Sequence, residues 1–105
     1  MYRYQILIEY VGTSFVGWQI QKKGKSIQKT IQLALSKLLK QKITLYGSGR
    51  TDARVHALEQ SAHFDVKNKI KNIDKTIKSL NFFLNKKMIF IFNIKRKKIN
   101  FHARY

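Results

Sequence analysis

One carboxylate of this chain stands among glycines, hydroxyls and arginines. It is Asp52, in the run Tyr46-Gly47-Ser48-Gly49-Arg50-Thr51-Asp52-Ala53-Arg54-Val55-His56-Ala57. Gly47 and Gly49 allow a sharp turn and the close approach of a ligand to the backbone. Arg50 and Arg54 flank Asp52 two residues to either side, and nearby positive charge favours the ionised carboxylate. That state suits a nucleophile, whereas a general acid has to hold its proton near neutral pH. The same residue types also fit an aspartate that merely hydrogen-bonds its own turn. Composition therefore leaves two readings of Asp52 open. A third idea, phosphate binding by Gly47-Ser48-Gly49, lacks the rest of a nucleotide motif.

Such a loop needs rigid elements on both sides. Ile43 and Leu45 precede it, and Lys42–Ser48 reads as a strand. Leu58, Gln60, Ala62, Phe64 and Val66 alternate after it, which predicts a strand over 58–66. Two strands joined by a short loop run antiparallel as neighbours. Met1–Val11 alternates as well, with Tyr2, Tyr4, Ile6, Ile8 and Tyr10 on one side. The glycines and hydroxyls from Gly12 to Gly17 break that pattern into a loop, in which Trp18 reads as a packing residue. Ile27, Ile31, Ala34, Leu35 and Leu38 recur at helical spacing. They predict a helix over Ser26–Lys40, capped by Ser26, with Gln28, Lys29, Gln32 and Lys37 towards solvent. Asn72 can cap a second helix carrying Ile73, Ile77, Leu80 and Leu84 on one face. Lys87–Ile94 reads as a fourth strand and Lys95-Arg96-Lys97-Lys98 as a basic turn. His63 falls inside the third strand and reads as a packed or hydrogen-bonded histidine. The order β-α-β-β-α-β predicts an α+β, ferredoxin-like fold, an antiparallel sheet with both helices on one face.

The whole chain bounds the function further. One hundred and five residues, 44% of them hydrophobic, make one small domain with a modest core. There are no cysteines, which excludes disulfides and thiolate zinc sites and fits a reducing cytoplasm. No His, Asp or Glu set has metal-ligand spacing, so no metal site is expected. No apolar run is long enough to span a membrane, and Met1–Gln5 does not read as a signal peptide. The net charge of +17 points to a polyanionic partner, nucleic acid before membrane. Lysine-rich composition without proline also matches an AT-rich coding bias, so charge alone leaves that open.

The order of residues around Asp52 adds a resemblance. Gly49-Arg50-Thr51-Asp52-Ala53-Arg54-Val55-His56-Ala57 resembles the Gly-Arg-Thr-Asp-Ala-Gly-Val-His-Ala signature of the TruA-type tRNA pseudouridine(38–40) synthases. Arg54 is the one departure. Glu9-Tyr10-Val11-Gly12-Thr13 through Gly17-Trp18-Gln19 resembles the end of that family's first strand, with Val11 in place of aspartate. The Ser26-Ile27-Gln28 helix start is similar too. Asn81–Asn85 is loosely similar to a Leu-Asn-Ala-Leu-Pro segment, and Asn100–Tyr105 to Asp-Phe-His-Ala-Arg-Phe near the family's domain junction.

The resemblance implies that residues 1–105 form the family's amino-terminal domain, with a second, carboxy-terminal domain absent from the chain. It implies that Asp52 is the catalytic nucleophile, that Arg50 and Thr51 serve substrate binding, and that uridine in the tRNA anticodon arm is isomerised to pseudouridine. It implies no cofactor, no metal, a homodimer and a cytoplasmic setting. A lone first domain is expected to be inactive or nearly so. The competing class is a non-catalytic RNA-binding module or a degenerate synthase fragment, which Arg54 and Val11 favour. An RNA-recognition motif on the same topology is disfavoured, because Leu58–Val66 has no glycine and only Phe64 among Phe, Tyr and Trp.

Overall fold

Tyr4, Ile6, Ile8 and Tyr10 are buried, while Arg3, Gln5, Leu7 and Glu9 between them are half-buried. This period of two makes the central strand β1, Tyr2–Tyr10. A computed structural model describes residues 1–10, 27–47 and 58–102 of the chain. Within them β1 is followed by α1 (Ile27–Leu39), β2 (Tyr46–Gly47), β3 (Leu58–Val66), α2 (Ile73–Leu84), a 3-10 turn at Asn85–Lys87, and β4 (Ile89–Lys97). The sheet order is β2-β3-β1-β4, and every pairing is antiparallel. This is the ferredoxin-like α+β arrangement that the order of elements predicts.

Both helices pack their apolar stripes on one face of the sheet. Ile27, Ile31 and Leu35 of α1 and Leu80 and Leu84 of α2 meet Ile6, Ile8, Phe64, Ile89 and Ile91 in one core cluster. Asn72 caps α2 as expected, its Oδ1 accepting from the Lys75 backbone N–H at 3.0 Å. The other expected cap, Ser26, lies outside the described residues. Tyr4 stacks on Phe64 with ring centroids 5.8 Å apart. Its hydroxyl accepts from the Ile70 N–H at 3.0 Å, which ties the 67–71 connection to the core.

β3 spans Leu58–Val66, as its alternation predicts. β2 is much shorter than the expected Lys42–Ser48. Only Tyr46 and Gly47 pair with β3, opposite His63 and Ala62, and Ser48 lies outside the described residues. The physical reason is on α1. The Gln28 amide donates to the Leu45 carbonyl. Leu45 N–H donates to Gln32 Oε1 at 3.0 Å, and Ile43 N–H to Ser36 Oγ at 3.1 Å. Three side chains four residues apart on one helix thus satisfy backbone groups that a neighbouring strand would otherwise take. Gln28 and Gln32 are therefore half-buried positioning groups, not the solvated ones their polarity suggests.

β4 also departs from expectation. It runs to Lys97, so Lys95, Arg96 and Lys97 are strand residues and not a basic turn. Its pairing with β1 shifts between Leu7 and Ile8. Leu7 faces Asn93 and Ile8 faces Ile91, which leaves Phe92 as an extra residue in a β-bulge. Core contacts move from Ile89 and Ile91 to Ile94 across the bulge, so a simple alternation cannot be followed to the end of the strand. The outer edge of β4 is partly covered. The Asn81 side chain donates to the Ile91 carbonyl at 3.1 Å and accepts from its N–H at 2.8 Å.

Candidate active site

The strands fix where the Asp52 stretch is attached. Gly47, the last residue of β2, pairs with Ala62. Leu58, the first residue of β3, pairs with Tyr10, the last of β1, and Tyr10 also pairs with Ile89 of β4. The two stretches that carry the motifs, after Tyr10 and before Leu58, are therefore joined to the same end of the sheet. Asp52, Arg50 and Thr51 themselves lie outside the described residues, as do Arg54, Val11 and Trp18.

The face of the sheet away from the helices carries a polar and aromatic network. Arg3 on β1 stands opposite Asp65 on β3. Its Nε donates to Asp65 Oδ1 at 2.8 Å and its Nη2 to Oδ2 at 2.9 Å, a two-pronged ion pair. Its Nη1 donates to the Phe101 carbonyl at 2.6 Å. One guanidinium thus links three parts of the chain: β1, β3 and the segment after β4. The hydrogen bonds from Arg3 hold the Asp65 carboxyl below its ordinary range, and Asp65 in turn raises Arg3. Beside them the Gln5 amide donates to Ser61 Oγ at 2.9 Å.

His63 sits at the centre of this network and is 2% exposed. Its ring stacks on Tyr46 at 5.1 Å and meets His102 edge-on at 4.7 Å and Phe101 at 6.3 Å. Burial lowers its pKa first, and the neighbouring Arg3 and His102 charges lower it further. His63 is thus neutral at pH 7 and packs as a flat ring, as its place in the strand predicts. Lys97 adds a cation 5.3 Å from the Phe101 ring centre. The assembly anchors Phe101 and His102, two residues of the terminal motif, against the base of the β2–β3 hairpin.

Residue-by-residue reading of the sequence misses Arg3 and Asp65 as a unit. They are sixty-two positions apart, and each looks like an ordinary surface residue of an alternating strand. The pairing of β1 with β3 is what sets them face to face. Among the described residues, no three His, Cys, Asp or Glu side chains are gathered so as to hold a metal ion. No helix among them is long and apolar enough to cross a membrane.

Comparison with known proteins now fixes the class. The sequence pattern of the tRNA pseudouridine synthase family matches residues 6–105, and the chain belongs to that family. Among individual relatives, the tRNA pseudouridine synthase A of Pelagibacter ubique (strain HTCC1062) is 65% identical over 105 residues, covering 100% of this chain and 43% of that protein. The proteins of the same name from Anaplasma marginale, strains Florida and St. Maries, are each 42% identical over 106 residues, covering 98% of this chain and 42% of theirs. The chain spans less than half the length of these curated relatives.

Proposed function

We propose that this chain carries the nucleophile-bearing part of a tRNA pseudouridine synthase, which isomerises uridine to pseudouridine in the tRNA anticodon arm. The observation that carries the reading is the 65% identity over the whole chain to a relative of that name, with the Gly49–Ala57 signature intact at Asp52. Asp52 acts as nucleophile, kept ionised by the arginines near it in sequence. Arg50 and Thr51 contact the target nucleotide, which has to leave its stack, at a cost of a few kcal/mol. The reaction breaks the bond from the sugar carbon to the uracil nitrogen and makes one to uracil C5. The C5 hydrogen leaves as a proton and the freed N1 takes one up from solvent, so atoms and electrons balance without a cofactor. The remaining length of the relatives corresponds to a second domain that completes the cleft, in a homodimer and a cytoplasmic setting.

The test is release of tritium from [5-³H]uridine-labelled tRNA by this chain continued through a second domain of the family. Asp52→Ala is expected to abolish release. Equal release by wild type and Asp52→Ala sinks Asp52 as nucleophile. Residues 1–105 alone are expected to form little or no pseudouridine. The second reading, a fragment that binds RNA without modifying it, is favoured by Arg54 where the family signature has glycine. It predicts tRNA binding without tritium release even by the extended chain, and Arg54→Gly then restores release only if that residue is the cause.

A further inference from the structure

The helical layer carries a second surface that the Asp52 reading does not use. α1 and α2 lie side by side over the core, and a cleft of about 480 Å³ opens where the end of α1 meets the 67–71 connection and the start of α2. Its rim bears Lys69, Lys71 and Lys75 over a floor that includes Val66 and Ile70. A second hollow of about 400 Å³ shares Leu38 and Ser79 with the first and continues past Lys78 to Phe82 and Phe83. Together they form one groove between the helices. It lies on the opposite side of the sheet from Arg3, His63 and Asp65.

Two properties of this groove decide what fits it. Phe82 is 69% exposed and Phe83 52%, although both are on a helix whose Leu80 and Leu84 are fully packed. Their rings sit 5.5 Å apart and nearly perpendicular, and Lys86 places its ammonium 5.5 Å from the centre of the Phe82 ring. The residues lining the groove include lysines and amides and, among the described residues, no acid. A second copy of the chain would bring its own +17 charge to the contact, which like-charge repulsion opposes. A polyanion is favoured. Exposed aromatic faces beside lysines accommodate unpaired bases, whereas a duplex keeps its bases stacked inside.

We propose that the groove between α1 and α2 is a second RNA-binding surface, taking a single-stranded segment. The backbone phosphates run along Lys69, Lys71, Lys75 and Lys78, and a base stacks on Phe82 or Phe83. The inference concerns binding alone and stands whether or not Asp52 is a nucleophile.

The experiment measures fluorescence anisotropy of a labelled, unstructured RNA of about ten nucleotides with the chain Met1–Tyr105, over a series of salt concentrations. Phe82→Ala/Phe83→Ala is expected to weaken binding about 5- to 150-fold per stacked base without changing the salt dependence. Lys71→Gln/Lys75→Gln/Lys78→Gln is expected to reduce the slope of log affinity against log salt by about 2, since each neutralised phosphate of a single strand contributes about 0.7. All five positions are on or beside the solvent surface of the helix layer, and circular dichroism checks that the fold is kept. Photocrosslinking of the wild-type chain to 4-thiouridine RNA, read by mass spectrometry, maps the contact without any substitution. Crosslinks at residues 69–83 support the proposal. Wild-type affinity in either variant, or crosslinks confined to other residues, overturns it. So does sedimentation showing a dimer that the phenylalanine substitutions dissolve. The readout is binding and not pseudouridine formation, so failure here leaves the Asp52 reading standing, and the reverse holds too.

Discussion

Replacing Asp65 by asparagine removes the charge that Arg3 grips and leaves the side-chain shape nearly unchanged. The pair makes two charge-assisted hydrogen bonds, at 2.8 and 2.9 Å, with side chains 18% and 23% exposed. A fully exposed pair is worth about 0.2–1 kcal/mol, and hydrogen bonds to charged groups in more buried settings about 1.5–3 kcal/mol. This geometry falls between, so Asp65→Asn is expected to cost about 2 kcal/mol at pH 7. For a domain of this size that lowers Tm by about 10 °C. The pH dependence makes the claim sharper. An aspartate in the unfolded chain titrates near pH 3.9, and Arg3 holds the folded one lower. Between those two values the unfolded chain binds more protons than the folded one, so stability falls as pH falls through the window. The contribution is complete above about pH 5 and is lost progressively below that, the loss finishing only once pH has fallen through the lower value of the folded carboxyl. Urea denaturation of wild type and Asp65→Asn from pH 7 to pH 2.5 reads this directly. The gap between them closes as the pH drops through that window. A gap below about 0.5 kcal/mol at pH 7, or one that stays constant to pH 2.5, refutes the argument. A cycle with Arg3→Met then shows whether the coupling belongs to the pair or to the Phe101 carbonyl.

Two further predictions follow from the same sheet. His63 has a lowered pKa because it is buried beside Arg3 and His102, so its unfolded form takes up a proton first as pH falls below about 6.5. Wild type is expected to lose stability between pH 7.5 and 5.5, as read from urea midpoints, and His63→Gln to lose less; equal losses count against His63. Asn81→Ala removes both hydrogen bonds to Ile91, costs about 1–3 kcal/mol in thermal or urea unfolding and uncovers part of the β4 edge. Concentration-dependent light scattering should rise with it, and unchanged stability together with unchanged scattering contradicts the role assigned to Asn81.

The sequence made some of this architecture legible for identifiable reasons. β3 is readable because Gln60, Ala62, Phe64 and Val66 face one core without interruption. α1 and α2 are readable because their stripes and the Asn72 cap follow local rules. β2 is hidden because its length depends on whether backbone groups meet a strand or the side chains of Gln28, Gln32 and Ser36. The end of β4 is hidden because a bulge interrupts the alternation and lysines occupy strand positions. At the candidate site, Asp52, Arg50 and Thr51 stand out by residue type and motif. The Arg3–Asp65–Phe101 link does not, because it exists only once distant strands are in register.

The bulge at Phe92 has a consequence for changes in chain length. Phe92 is the one residue of β4 passed over in the pairing with β1. Removing its codon would leave Ile91 opposite Ile8 and Asn93 opposite Leu7, with the core and solvent faces of every other residue kept. The same deletion inside β1 or β3 would turn the following side chains over and bring charged groups such as Glu9 or Asp65 towards the helices. β4 therefore holds one residue of slack. In a lineage accumulating deletions, this edge strand can lose a residue at that point without turning the rest of the strand over, while the central strands cannot.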